Sequence, residues 1–295
     1  MKKIFNGSLA VGALFAASVM FPAHAVPITF ASGADYDNSN PAQATGVFRD
    51  VLNGAGISRG NDLGGTGHTA LNLTGSSNNG AYNGAMTLYD TTPGDAASKS
   101  LFTGNISIFA DILTSTFNNS KGPGILFLYN EGSGMEGLAL SVFNAGNTDN
   151  LELRRVSQLG EGNPSKSLAL TSLSGQIAQN AWYRLELDLT FSGLGYTVAG
   201  RVFNHALATD PNSAIGTQIG AQLNYSGLLS ATTMAPYEIG LVARSNGGVY
   251  DSSVTNFSIV ADAEQASVPE PGSLGLLGIA ALGLALARRR RRRQG

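Results

Sequence analysis

Eleven short runs with strand character recur along this chain, and their recurrence limits its fold more than any single motif does. They are Ala70–Thr74, Met86–Asp90, Ile106–Thr114, Gly124–Glu131, Leu138–Asn144, Asn150–Val156, Ser167–Leu173, Trp182–Phe191, Tyr196–Asn204, Tyr237–Ser245 and Thr255–Asp262. Turn-forming Gly, Asn, Ser or Pro bound them, and no apolar stripe of period 3.6 runs to helical length. The pattern predicts an all-β chain folded as one two-sheet antiparallel sandwich.

The clearest alternation lies in Trp182–Phe191. Tyr183, Leu185, Leu187, Leu189 and Phe191 share one face of an extended strand, and Trp182, Arg184, Glu186, Asp188 and Thr190 share the other. The first set is expected to face the core and the second to face water or a ligand. Stretches rich in Gly, Asn and Asp read as loops: 35–44, 54–69, 75–84, 144–150 and 160–165. No repeat of solenoid or propeller period is present.

Two segments stand apart from this body. At the N-terminus, Lys2 and Lys3 precede an apolar stretch from Leu9 to Phe21, then small residues at Ala23 and Ala25. That layout predicts a secretory signal peptide over residues 1–25, cut after Ala25 by signal peptidase. At the C-terminus, Val268-Pro269-Glu270-Pro271 leads into the apolar run Gly272–Ala287 and then Arg288, Arg289, Arg290, Arg291, Arg292 and Arg293. As a helix, sixteen residues reach about 24 Å, a little short of the hydrocarbon core. Snorkelling arginines make up the difference and hold their end in the cytoplasm. The expected organisation is signal peptide 1–25, sandwich 26–261, linker 262–267 and tail 268–295, with a transmembrane helix over 272–287.

The order of proline pair, apolar helix and terminal arginines resembles the PEP-CTERM sorting signal of Gram-negative bacteria. That resemblance implies an exported protein whose tail touches the inner membrane, is processed by an exosortase, and leaves the body at the cell surface or in an extracellular polymer matrix. It covers the tail only and assigns the body no activity.

Between residues 26 and 268 the chain carries ten Lys/Arg against nineteen Asp/Glu, a formal charge of −9 that the basic ends mask. An acidic body, with no aromatics among the terminal arginines, excludes nucleic acid as a partner. The chain has no cysteine, so neither disulfides nor thiolate chemistry is available to it. Only His68 and His205 lie in the body, which leaves oxygen-ligated calcium as the one conceivable metal and no cofactor otherwise. Asp149 and Asp251 are the candidate calcium ligands. Asp35-Tyr36-Asp37-Asn38 lacks the glycine and glutamate of a calcium loop and reads as an Asx-rich turn.

The segments Trp182–Leu187, Tyr196–Phe203, Gly240–Arg244 and Val254–Ile259 resemble the closing strands of concanavalin A-like, laminin G-like jelly rolls. The resemblance implies a jelly roll of two curved sheets, frequently with carbohydrate as ligand. Trp182, Arg184, Glu186 and Asp188 are then the ligand-binding candidates.

Glu186 and Asp188 are also the catalytic candidates, because jelly-roll glucanases place paired carboxylates along one strand. The set is incomplete, since Thr190 and Phe191 stand where a third carboxylate is needed as proton donor. The expectation is therefore a non-enzymatic structural or carbohydrate-binding protein, with a glycoside hydrolase as the alternative. On a solvated strand face, Arg184 is expected to pair with Glu186 or Asp188. Gly64–His68 lacks the context of a phosphate cradle and reads as a turn. Tyr36, Tyr82, Tyr129 and Tyr250 are loop aromatics able to stack on sugar rings.

Overall fold

The computed structural model describes residues 27–32, 35–36, 48–53, 56–77, 85–90, 100–114, 122–130, 136–144, 148–157, 167–205, 215–228, 236–244 and 248–265. The segments 1–25 and 268–295 of the expected organisation, with the helix 272–287, lie outside them. Among the described residues no helix is long and apolar enough to cross a membrane.

Fourteen strands are formed: β1 (Phe48–Asn53), β2 (Ile57–Asn61), β3 (Thr69–Ser77), β4 (Ala85–Tyr89), β5 (Leu101–Thr114), β6 (Gly122–Asn130), β7 (Glu136–Asn144), β8 (Asp149–Ser157), β9 (Ser167–Ser172), β10 (Trp182–Ser192), β11 (Gly195–Asn204), β12 (Gln218–Leu228), β13 (Glu238–Arg244) and β14 (Gly248–Gln265). They build two seven-stranded antiparallel sheets. The first runs β1-β4-β13-β6-β7-β8-β9 and the second β12-β11-β10-β5-β14-β3-β2. The chain passes from sheet to sheet between β1 and β2, β3 and β4, β4 and β5, β5 and β6, β9 and β10, β12 and β13, and β13 and β14. These crossings make a jelly-roll sandwich.

Four expectations change. β1 was not read as a strand, and it is recruited at the edge of the first sheet by pairing with β4. β2 lies inside 54–69, read as a loop, because its short run is too polar to alternate visibly and is recruited by pairing with β3. β12 was not legible as a strand, since its pattern of exposed small and amide residues follows from an edge position. β14 continues to Gln265, into the segment read as a linker, because Ala263, Glu264 and Gln265 pair with Thr103, Phe102 and Leu101 of β5.

The core lies between the sheets and follows the alternation. Leu185, Leu187 and Leu189 of β10 face inward beside Ala110, Ile108 and Ile106 of β5. Across the gap they meet Ile125 and Phe127 of β6, Leu140 of β7 and Leu153 of β8. At about 1.5–3 kcal/mol for each large apolar side chain buried, these layers are the main source of stability in a chain without disulfides. A second apolar cluster, Met86, Leu88, Leu126, Tyr129, Ala139, Val156 and Val242, occupies the other side of the first sheet. With both faces of β6 buried, its run Gly124–Tyr129 is apolar without alternation.

Candidate functional site

The outward face of the second sheet is where chemistry collects. Extended pairing sets Trp182, Arg184, Glu186 and Asp188 of β10 opposite Leu113, Asp111, Phe109 and Ser107 of β5. On the other flank, Phe203, Arg201 and Ala199 of β11 stand opposite Arg184, Glu186 and Asp188. This one register divides the face into a closed half and an accessible half.

In the closed half, Trp182 does not face water. It packs with Ala70 and Leu113 beneath the loop joining β2 to β3, and its Nε1 donates to Thr66 Oγ1 at 3.0 Å. The His68 ring stands edge-on to it at 6.2 Å. Asp62 shapes that loop by accepting from Thr66 N (2.9 Å), Thr66 Oγ1 (2.9 Å) and His68 N (2.8 Å). Burial pushes the Asp62 carboxyl up, but hydrogen bonds from Thr66, His68 and Gly67 outweigh it and hold it below the ordinary value. The segment Gly64–His68, read as a free turn, is thus a docked cover.

Arg184 is also buried, with 4% of its side chain exposed, and it pairs with Asp111 rather than with Glu186 or Asp188. Nε reaches Asp111 Oδ1 at 2.7 Å and Nη2 reaches Oδ2 at 3.0 Å, a bidentate contact. The reason is distance: direct cross-strand neighbours are about 5 Å apart, whereas residues two apart on one strand are separated by about 7 Å. The Arg184 guanidinium also lies over the Phe109 ring, 4.4 Å from its centroid. Asn256, held at φ 50° in the bulge of β14, donates its Nδ2 to Asp111 Oδ2 at 2.6 Å. His205 Nε2 lies 3.2 Å from the same oxygen. Burial drives the Asp111 carboxyl up, yet hydrogen bonds from His205, Arg184 and Asn256 and the guanidinium charge outweigh it and leave it below the usual range.

The accessible half is organised by Arg201. Its Nη2 contacts Asp188 Oδ2 at 2.6 Å and its Nε contacts Glu186 Oε2 at 3.3 Å, with side-chain exposures of 26% for Arg201, 34% for Asp188 and 20% for Glu186. Ser107 Oγ donates to Asp188 Oδ1 at 2.6 Å. Partial burial works against the guanidinium charge, but the hydrogen bond to Asp188 and the two carboxylate charges raise Arg201 above its ordinary value. Phe109 and Phe203 are half-buried on this face, flanking the row.

The other sequence-derived candidates fall elsewhere. Asp149 begins β8 of the first sheet, buried, with Oδ2 accepting from Ile177 N at 3.0 Å. Asp251 lies on β14 of the second sheet, opposite Thr74. Among the described residues no three acidic or histidine side chains are grouped to hold a metal ion. Tyr36 is buried and donates its hydroxyl to Asp50 Oδ2 at 2.7 Å, so it presents no ring to a sugar. Burial, and then the Asp50 hydrogen bond, push its phenol far up. Tyr129 is buried in the apolar cluster of the first sheet. Tyr82 and the Tyr250 side chain lie outside the described residues, as do Asp37 and Asn38.

Ser107, Phe109, Asp111 and Arg201 were missed in the sequence. The signal was present: Ser107, Phe109 and Asp111 alternate with Ile106, Ile108 and Ala110 as clearly as the residues of β10 do.

Beyond the sandwich, residues 267–292 match the model of the PEP-CTERM protein-sorting motif. The tail is a PEP-CTERM sorting signal. The match includes Val268, Pro269, Glu270, Pro271 and Arg288 to Arg292. The PEP-CTERM signal marks an exported protein that is processed by an exosortase and sorted to the cell envelope or surface. No curated protein matches the chain. Among solved structures it is similar to the carbohydrate-binding module CBM66 from Bacillus subtilis, at 10% identity and a TM-score of 0.38, over 73% of this chain and 96% of that one. It is similar to an engineered GH43 glycoside hydrolase with endo-xylanase and exo-arabinofuranosidase activity, at 12% identity and a TM-score of 0.42. That match covers 66% of this chain and spans 34% of the hydrolase. A third is the GH131 β-glucanase catalytic domain from Podospora anserina, at 10% identity and a TM-score of 0.33, over 75% of this chain and 85% of that one.

Proposed function

We propose that this chain is a component of the cell surface or extracellular polymer matrix that binds polysaccharide along the accessible half of the second sheet, without cleaving it. The observation that carries this reading is the row Ser107, Asp188, Arg201 and Glu186, tied at 2.6, 2.6 and 3.3 Å beside the half-buried rings of Phe109 and Phe203. Sugar hydroxyls need donors and acceptors held in place, which this row supplies; sugar carbons need an apolar surface, which Phe203 and the part of the Phe109 ring that Arg184 leaves uncovered supply. Two carboxylates against one guanidinium leave it net negative. That favours neutral or amino-bearing polymers over uronates, whose carboxylates would be repelled.

The same geometry argues against bond cleavage. Arg201 engages both carboxylates, whereas double displacement needs one of them free to hand a proton to the leaving oxygen, and position 190 is threonine. Isothermal titration against neutral, amino-bearing and uronate polysaccharides, run beside a reducing-end assay, tests both parts. Binding of the first two without new reducing ends is expected, and Arg201→Ala removes the binding. Release of reducing ends that Glu186→Gln abolishes would establish the hydrolase instead.

A further inference from the structure

Ser192 pairs with Gly195, so the hairpin of β10 and β11 closes through the two residues Gly193 and Leu194. Gly193, at φ 59°, supplies the left-handed backbone that a tight hairpin turn needs. The second position, which Asn, Asp or Gly ordinarily fills, is a leucine. Leu194 is 71% exposed, and Leu228, which ends β12 opposite Gly195, is 85% exposed. They are the two most exposed large apolar side chains of the described residues, and they share one end of the second sheet.

The chain leaves the sandwich at this same end. β10 pairs with β5 from Trp182 opposite Leu113 to Leu189 opposite Ile106. Continued, that register brings Leu194 level with Leu101, the first residue of β5, and Leu101 pairs with Gln265, the last residue of β14. Leu194 and Gln265 therefore lie about two strand spacings apart, about 10 Å. The PEP-CTERM motif starts at residue 267. From Gln265 to Gly272, where the apolar run expected to enter the membrane begins, seven residues span at most about 25 Å. A body tethered by that run is held with this end toward the lipid.

Charge is sparse there as well. Leu101–Ala110, Leu189–Gly200 and Leu223–Leu228 contain no Asp, Glu, Lys, Arg or His, whereas Asp262 and Glu264 of β14 are acidic and the whole body carries −9. Such a body is repelled by anionic lipid, so the fitting surface is one of zwitterionic headgroups. We propose that the Leu194–Leu228 end of the sandwich docks on the lipid surface while the tail holds the chain, with both leucines entering the headgroup and upper acyl region. This contact is independent of the row proposed to bind polysaccharide.

The chain has no cysteine, so one introduced thiol gives one labelling site. Ser192→Cys places a nitrobenzoxadiazole label beside the turn, and Gln176→Cys places it in the segment before β10, at the opposite end; both positions are exposed. The full chain is reconstituted in phosphatidylcholine vesicles containing lipid spin-labelled high on its acyl chain. That lipid is expected to quench the label at position 192 and to leave the label at position 176 bright. Adding Leu194→Asp with Leu228→Asp to Ser192→Cys is expected to abolish the quenching, with circular dichroism confirming the fold and flotation confirming that the chain is still bound to vesicles. Equal quenching at both positions overturns the proposal, as does quenching that survives the two aspartates. A label at position 192 that is shielded from water yet unquenched by lipid lies against protein, the tail or a second copy, and overturns it too.

Discussion

The first and second halves of β10 share one strand, one sheet face and one alternation, yet they hold their charges in opposite ways. Arg184 and Asp111 are closed over, with 4% and 0% of their side chains exposed, and their remaining hydrogen-bonding capacity goes to Asn256 and His205. Four residues on, Arg201 grips Asp188 and Glu186 in contact with solvent. The first arrangement has surrendered its hydration and depends on complete pairing. The second keeps water and can exchange it for a ligand. A polar residue on an outward strand face is thus no sign of a binding site until its cover is known.

The largest effect that probes this contrast is expected from Asp111→Ala. It leaves the Arg184 guanidinium buried without a counter-charge, at a cost of about 3–5 kcal/mol, a large share of a domain's stability. Thermal unfolding followed by circular dichroism reads it, and a loss no larger than that of Asp188→Ala would erase the distinction between the halves. Replacing the pair together, with Asp111→Leu and Arg184→Met, is expected to recover much of the loss, since no charge then remains to be solvated.

Acid is the next lever, and its sign follows from the direction of the shifts. Asp111 and Asp62 both have carboxyls held below their ordinary value in the folded chain. Each therefore contributes stability that is present above the unfolded-state value near pH 4 and is lost as pH falls through the lower folded value. Melting temperature is expected to be level near neutral pH and to fall below about pH 4. Asp62→Asn is expected to flatten part of that fall and to loosen the cover over Trp182, seen as a red shift of its fluorescence, since it is the only tryptophan in the chain.

The sequence made the architecture legible where burial was one-sided. The alternation of β10 named its inward leucines correctly, because a strand with one wet face must alternate. It misjudged Trp182 and Arg184, because alternation reports which residues leave the core and carries nothing about a loop that returns to cover them. The Arg184 pairing was unreadable for a related reason. Its partner lies 73 positions away on β5, and only the register of two distant strands brings them together. The strands β1, β2 and β12 escaped because edge strands are recruited by a neighbour and need little apolar content of their own. The PEP-CTERM motif at residues 267–292 was legible in the tail, since its order of segments is local in sequence.

The smallest effects on stability belong to the accessible half, and there function and fold come apart. Arg201→Ala is expected to cost under about 1 kcal/mol, because partly exposed ion pairs gain little over their hydrated partners. Ser107→Ala removes one hydrogen bond to Asp188 and is expected to cost about 0.5–1 kcal/mol. Both should nevertheless weaken polysaccharide binding in titration calorimetry, Arg201→Ala to loss and Ser107→Ala by about tenfold, the equivalent of one ligand-facing contact at 1.4 kcal/mol. If instead Ser107→Ala binds like the natural chain while Phe109→Ala does not, the ring alone is the platform. The row would then be a surface ion-pair cluster, and the two halves of β10 would differ only in how much water they keep.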